Sequence, residues 1–147
     1  MGPCGGTDGE ARKMHMEGGA SRNRIVQLYV CHGHAIDSIW VRIDRRGLEH
    51  WTDHCGGHGG HVADLRLRRH EYLTSVEGHY GPFKGQVVVR SLKFVPSLRT
   101  LGPYGKEHGM PFALPAGAGG RIIGVHGRSG GKYLNAIGTY VKMAGSS

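Results

Sequence analysis

Apolar and polar residues alternate in short runs along this chain, and glycine fills the gap between one run and the next. Strand side chains point alternately to two faces, so a period of two over about four to eight residues marks a half-buried strand. In 23–32 (NRIVQLYVCH) the alternation puts Val26, Leu28 and Val30 on one face. In 36–44 (IDSIWVRID) it puts Ile39, Val41 and Ile43 opposite Trp40 and Arg42. Further strands are read at 11–16, 48–52, 62–67, 72–80, 85–95, 110–114, 121–126 and 133–142. Turns are read at 45–47 and at Gly81-Pro82, and 96–106 reads as turn-rich. No segment carries a capped apolar period of 3.6 residues. About ten to twelve short strands separated by Gly/Pro turns indicate an antiparallel all-β domain.

The 27 glycines do not recur every third residue, which excludes a collagen repeat. The apolar runs 25–30, 87–95 and 122–125 are too strong for a disordered chain. At 147 residues the chain has the size of one domain, 1–147, with a glycine-rich loop at 1–10 and a tail at 143–147. No apolar stretch approaches the ~20 residues of a membrane span. The opening MGPCGGTDGE lacks the apolar core of a secretory leader. Cys4, Cys31 and Cys55 are an odd number without a regular framework and read as reduced thiols. Both features point to a cytosolic location.

Two chain segments share one loop pattern. Gly131-Lys132-Tyr133-Leu134-Asn135 and Gly33-His34-Ala35-Ile36-Asp37 are both G-x-x-x-[D/N] turns leading into a strand. Each has a glycine-loop counterpart, 5–9 (GGTDG) and 56–60 (GGHGG). Glycines permit positive φ and close approach to the backbone. A side-chain amide or carboxylate at a fixed offset then suits a small polyhydroxylated ligand.

Three other chemistries are weighed against that reading. His54, Cys55, His58 and His61 are four metal-capable side chains within eight residues. Structural zinc sites draw ligands from two separated pairs, so no metal site is assigned. The net charge is +8, and Arg42, Arg45, Arg46, Arg66, Arg68, Arg69 and His70 crowd the middle of the chain. Arg66, Arg68 and His70 are expected on one strand face. Aromatics are not interleaved there as a single-strand binder needs, so a solvated basic face is read and no nucleic-acid partner is assigned. That face can still draw the protein to acidic glycans or membranes. Asp37, Asp53, Asp64, Glu71, Glu77 and the pair His126 and Ser129 supply no recognisable catalytic constellation.

The segments GPCGGTDGE, HAIDSI, CGGHGGH, EYLTSVEGHYG, SLKFV, GPYGKEHGMPFALP, GRIIGVHGRSG and YLNAIGTYV cover nearly the whole chain. In that order they resemble the jacalin-related lectins, most closely the mannose-type cytoplasmic plant branch, with a grass or other monocot flavour. Some of those members carry an N-terminal dirigent domain, which this sequence does not contain. The resemblance implies a β-prism I of three four-stranded Greek-key sheets with pseudo-threefold symmetry. It implies a non-enzymatic protein that needs no metal or cofactor. The partners it implies are mono- and oligosaccharides and glycoproteins of mannose or glucose type. A homodimer or larger homo-oligomer and a role in plant defence or stress also follow from it.

Carried over residue by residue, the family's primary sugar site falls on the backbone of Gly9, Gly131, Lys132, Tyr133 and Leu134 and on the side chain of Asn135. Tyr80 and Phe83 would flank it. The second corner, Gly33, His34, Ala35, Asp37 and Gly60, is a further candidate, since two-site members bind sugar there too. Three positions depart from the family pattern: Asn135 for the usual Asp, Cys4 for a common Trp and Asp8 for a common Gly. An amide offers one acceptor and two donors where a carboxylate offers two charged acceptors. The exchange at Asn135 should weaken that site by roughly 1 kcal/mol or more, or open the preference to galactose or N-acetylglucosamine.

Overall fold

The computed structural model describes residues 2–7, 9–13, 23–52 and 54–143, with the side chains of 10–13 left aside. Asp8, Asp53, residues 14–16 of the expected 11–16 strand and 144–147 of the tail lie outside the described residues. In chain order the strands are β1 (Cys4–Gly5), β2 (Glu10–Lys13), β3 (Asn23–His32), β4 (Ile36–Arg45), β5 (Leu48–Trp51), β6 (Cys55–Gly56) and β7 (His61–Arg66). They continue as β8 (Leu73–Phe83), β9 (Gln86–Pro96), β10 (Leu101–Gly105), β11 (Met110–Pro115), β12 (Arg121–Ser129) and β13 (Leu134–Lys142).

Every pairing between described strands is antiparallel, and the strands fall into three blocks. The first is β1-β13-β12-β2 and the third is β10-β9-β8-β11. They meet at the single pair Ile122↔Leu73, which joins them into one eight-stranded sheet. The second block is β4-β3-β7, with β5 and β6 as two pieces of its other edge. This is the all-β prism expected from the resemblance. Its inner faces enclose one core, with Leu28, Ile39, Val41, Leu92, Phe94 and Ile137 fully buried.

Several local expectations are corrected. Val26 does not share the face of Leu28 and Val30: it is the extra residue of a bulge between Ile25↔Ile43 and Gln27↔Arg42, so Ile25 is buried in its place. Gly81-Pro82 is not a turn. β8 runs on to Phe83, and the hairpin closes at Lys84 (φ 51) and Gly85 (φ 83). Two successive positive-φ residues make the primed turn whose twist fits a two-residue hairpin. Pro82 is tolerated because β11 pairs β8 no further than Tyr80, leaving one side of that stretch unpaired. Within 96–106, β10 is a short strand along the edge of β9, with a register shift around Pro103.

Between β5 and β6 the edge is held by one side chain. Thr52 Oγ1 accepts from Val41 N at 3.0 Å, and Thr52 N donates to Val41 O at 2.9 Å. Thr52→Val should cost about 1–2 kcal/mol, because it strands a buried Val41 N–H. Urea denaturation would show a lower midpoint at unchanged slope.

Candidate functional site

The two sequence patterns fold into the same device. Cys4↔Ile137 and Gly5↔Ala136 in the first block match Cys55↔Ile39 and Gly56↔Ser38 in the second. Gly6 N donates to Asn135 O at 3.0 Å, as Gly57 N donates to Asp37 O at 2.8 Å. Gly5 and Gly56 have φ of 131° and 130°, and Gly9 and Gly60 have 77° and 82°. A Cβ on Gly5 or Gly56 would run into the carbonyl of Asn135 or Asp37. The corners touch: Gly57 leaves room only for the backbone of Gly131 and Lys132 beside it.

They differ where a ligand would be held. In the first corner Ser129 pairs Leu134, and in the second His32 pairs Ile36, so the first loop is one residue longer. Its Gly130 N donates to Asn135 Oδ1 at 2.9 Å. Asn135 Nδ2 donates to Gln86 Oε1 at 2.8 Å and to Val87 O at 3.0 Å. Asn135 is 0% exposed, and both its donors and its acceptor are engaged internally. Gly131 N is turned to Ser129 Oγ at 3.0 Å. Arg128 Nη2 donates to Gly9 O at 2.6 Å, which fixes the partner loop. Lys132 is exposed, Tyr133 half-buried and Leu134 buried.

The second corner is open. Gly33, His34, Ala35, Asp37 and Gly60, with Phe83, Lys84 and Tyr133, line a hollow of about 190 Å³. The Asp37 carboxylate accepts no hydrogen bond among the described residues. A Cβ on Gly60 would stand 2.5 Å from Asp37 Oδ2, so only glycine leaves that oxygen room. Burial pushes the Asp37 carboxyl above its ordinary value of 3.8, while His32 and Lys84 pull it back in part. Burial and the neighbouring His61 hold His32 below 6.5, against the pull of Asp37. One wall is aromatic. The Phe83 and Tyr133 rings meet edge-on at 5.4 Å, and the Arg90 guanidinium lies 4.7 Å over Phe83. Arg90 also donates to His34 O at 3.2 Å and Pro82 O at 3.3 Å, tying both walls together. A carboxylate with free lone pairs, a close glycine backbone and an apolar wall can accept two hydroxyls and cover a C–H face.

Other candidates lie elsewhere. Tyr80 packs on Phe112 with ring centroids 6.2 Å apart, whereas Phe83 reaches Tyr133. Cys55 is buried in the core while His54 stacks on Trp40 at 3.9 Å, and among the described residues no three His, Cys, Asp or Glu side chains converge as a metal site. Cys4, Cys31 and Cys55 are thiols rather than disulfides. Arg66, Arg68 and His70 do not share a strand face: β7 ends at Arg66, Arg68 N donates to Glu71 Oε1 and His70 takes φ 70° in the turn. Lys84, Gln86 and Arg90 were not legible as site residues. No spacing signal links Gln86 to Asn135 or Arg90 to His34.

A prism with paired glycine-loop corners and an open carboxylate defines a ligand-binding domain. The jacalin-like lectin domain profile matches residues 1–140, and the chain belongs to this non-enzymatic family. It is 40% identical to jacalin-related lectin 3 of Arabidopsis thaliana over 97% of this chain, but spans only 23% of that protein. It is 37% identical to jacalin-related lectin 19 of the same plant, covering 100% of this chain and 82% of that one. Horcolin of Hordeum vulgare is 32% identical, with 96% and 94% covered. Among solved structures, a mannose binding jacalin related lectin from Ananas comosus superposes with TM-score 0.87 at 31% identity, covering 97% and 96%. Artocarpin complexed with methyl-α-mannose gives 0.86 at 32%, with the same coverage. No helix among the described residues is long and apolar enough to cross a membrane.

Proposed function

We propose that this lectin domain binds mannose- or glucose-type glycans, without a metal, chiefly at the Asp37 corner. The observation that carries this reading is the contrast between the two corners. Asp37 stands with free carboxylate oxygens in an open hollow, while Asn135 is buried with its amide engaged. The corner of Gly9 and Gly131–Asn135 is then a secondary site that works through backbone groups. Support for the sugar class comes from the mannose-binding solved relatives. A homodimer would raise the avidity of weak single-sugar contacts. A cytoplasmic location and a part in plant defence or stress belong to the same reading.

A glycan array with and without EDTA tests it. Mannose- and glucose-terminated glycans should bind equally in both conditions. Binding only of galactose or N-acetylglucosamine, or binding lost with EDTA, would overturn the sugar class or the metal-free site.

The pH dependence follows from Asp37. Its carboxyl is raised, and only the ionised form offers two acceptors. Affinity should therefore fall on acidification, beginning above pH 3.8. Stability runs the other way for this group. A raised folded pKa adds stability that is fully present below the unfolded value and is lost as pH rises through the folded one. Titration calorimetry with methyl-α-mannoside across this range would read the binding term. A flat affinity would show that Asp37 does not touch sugar.

A further inference from the structure

The hairpin turn of Arg46 and Gly47 lies at the end of the prism away from the sugar loops. From Asp37, β4 descends to this turn over about 30 Å at ~3.3 Å per residue. The strand register brings other basic residues to the same end: Arg45 pairs Asn23, Arg121 pairs Lys142, and Leu73, just after the 68–72 turn, pairs Ile122 and Pro96. Arg46, Arg68, Arg69, His70 and Arg121 are exposed there, and Arg45 and Lys142 are half-buried. The acids at this end are engaged. Glu71 is buried on Arg99, Glu49 pairs Arg42, and Asp44 accepts from Gly47 N.

Large apolar side chains stand among these cations. Leu48 is 77% exposed beside the Arg46 turn, and Leu98 is 70% exposed in the β9–β10 turn. Arg45, Arg46, Leu48 and His50 also enclose a hollow of about 290 Å³. The hollow thus brings two arginines to the mouth of a site beside an exposed leucine.

We propose that this end of the prism docks on an anionic phospholipid surface. The Arg45–His50 hollow takes a phosphate-bearing headgroup, and Leu48 and Leu98 enter the interfacial layer. A nucleic acid would neutralise the arginines but leave both leucines in water, whereas a bilayer interface accommodates cations and apolar tips together. The two ends of the molecule then serve different ligands, glycan at the Asp37 end and lipid at the Arg46 end.

Cosedimentation of the intact chain with phosphatidylcholine vesicles, with and without phosphatidylserine, tests the proposal. Binding should require phosphatidylserine and weaken with salt. It should drop about fivefold or more for each charge reversal, Arg45→Glu and Arg46→Glu. Leu48→Ser should lower it about tenfold. Arg46→Glu should keep full methyl-α-mannoside affinity, which certifies its fold. Equal binding to both vesicle types, or none, would overturn the proposal. So would complete competition by inorganic phosphate, or competition by a single-stranded oligonucleotide with Leu48→Ser without effect.

Discussion

Asp37→Ala is expected to remove the principal methyl-α-mannoside site, leaving only the weaker backbone site of the first corner, with the fold intact. A hydrogen bond to a charged group is worth about 1.5–3 kcal/mol, so losing two carboxylate contacts lowers affinity by more than ~100-fold. Lectin sites of this size begin weak, and such a loss carries binding at this corner out of range. Thermal stability should hold or rise, because removing a partly buried carboxylate removes the desolvation that raises its pKa. Asn135→Ala should show the reverse pattern. It removes the partner of Gly130 N and Gln86 Oε1 and one contact of Val87 O, so stability falls by about 2 kcal/mol while sugar affinity at the Asp37 corner is retained. Titration calorimetry and thermal melts on the two variants separate the roles. Binding that survives loss of Asp37 but not of Asn135 would return the principal site to the first corner.

Glu71→Ala should destabilise the fold by about 2–3 kcal/mol, since it removes three charge-assisted hydrogen bonds while the remaining Arg99 is partly open to water. The Glu71 side chain is fully buried and receives Arg99 on both oxygens at 3.0 Å, with Arg68 N at 2.8 Å. Arg99 in turn donates to Arg66 O at 2.6 Å, so the cluster clamps the end of β7 to the β9–β10 turn. The hydrogen bonds from Arg99, against the cost of burial, hold the Glu71 carboxyl below 4.5. A depressed folded value means stability that is present above the unfolded pKa and lost as pH falls through the folded one. Wild type should therefore lose stability below about pH 4.5, and Glu71→Gln should flatten that loss. A double-mutant cycle with Arg99→Ala, read by urea unfolding, should give a coupling of about 2 kcal/mol. Additive single effects would show that the two side chains act independently.

Much of the fold was legible because its signals are local. Ile39, Val41 and Ile43 alternate with Trp40 and Arg42, and the structure buries that same face. The glycine loops were legible as a repeated pattern, and the matched φ values of Gly9 and Gly60 show the same backbone at both corners. The alternation puts Val26 on the wrong face because one bulged residue flips it, and a bulge is set by the partner strand. The turn at Lys84 carries no local signal because lysine rarely takes positive φ, and Gly81-Pro82 is the stronger punctuation in the sequence.

By itself the sequence determined the strand class, the paired corners and the family, because period-two patterning and glycine spacing are properties of neighbouring residues. Only the tertiary structure decided which corner is open. The Asn135 amide is engaged by Gly130, Gln86 and Val87, and Gln86 lies in a hairpin that no local pattern connects to it. The hollow at Asp37 takes its aromatic wall from two other blocks of the prism, Phe83 and Tyr133. Which polar atoms remain available for a ligand depends on partners brought together across the core, and chain order does not record that.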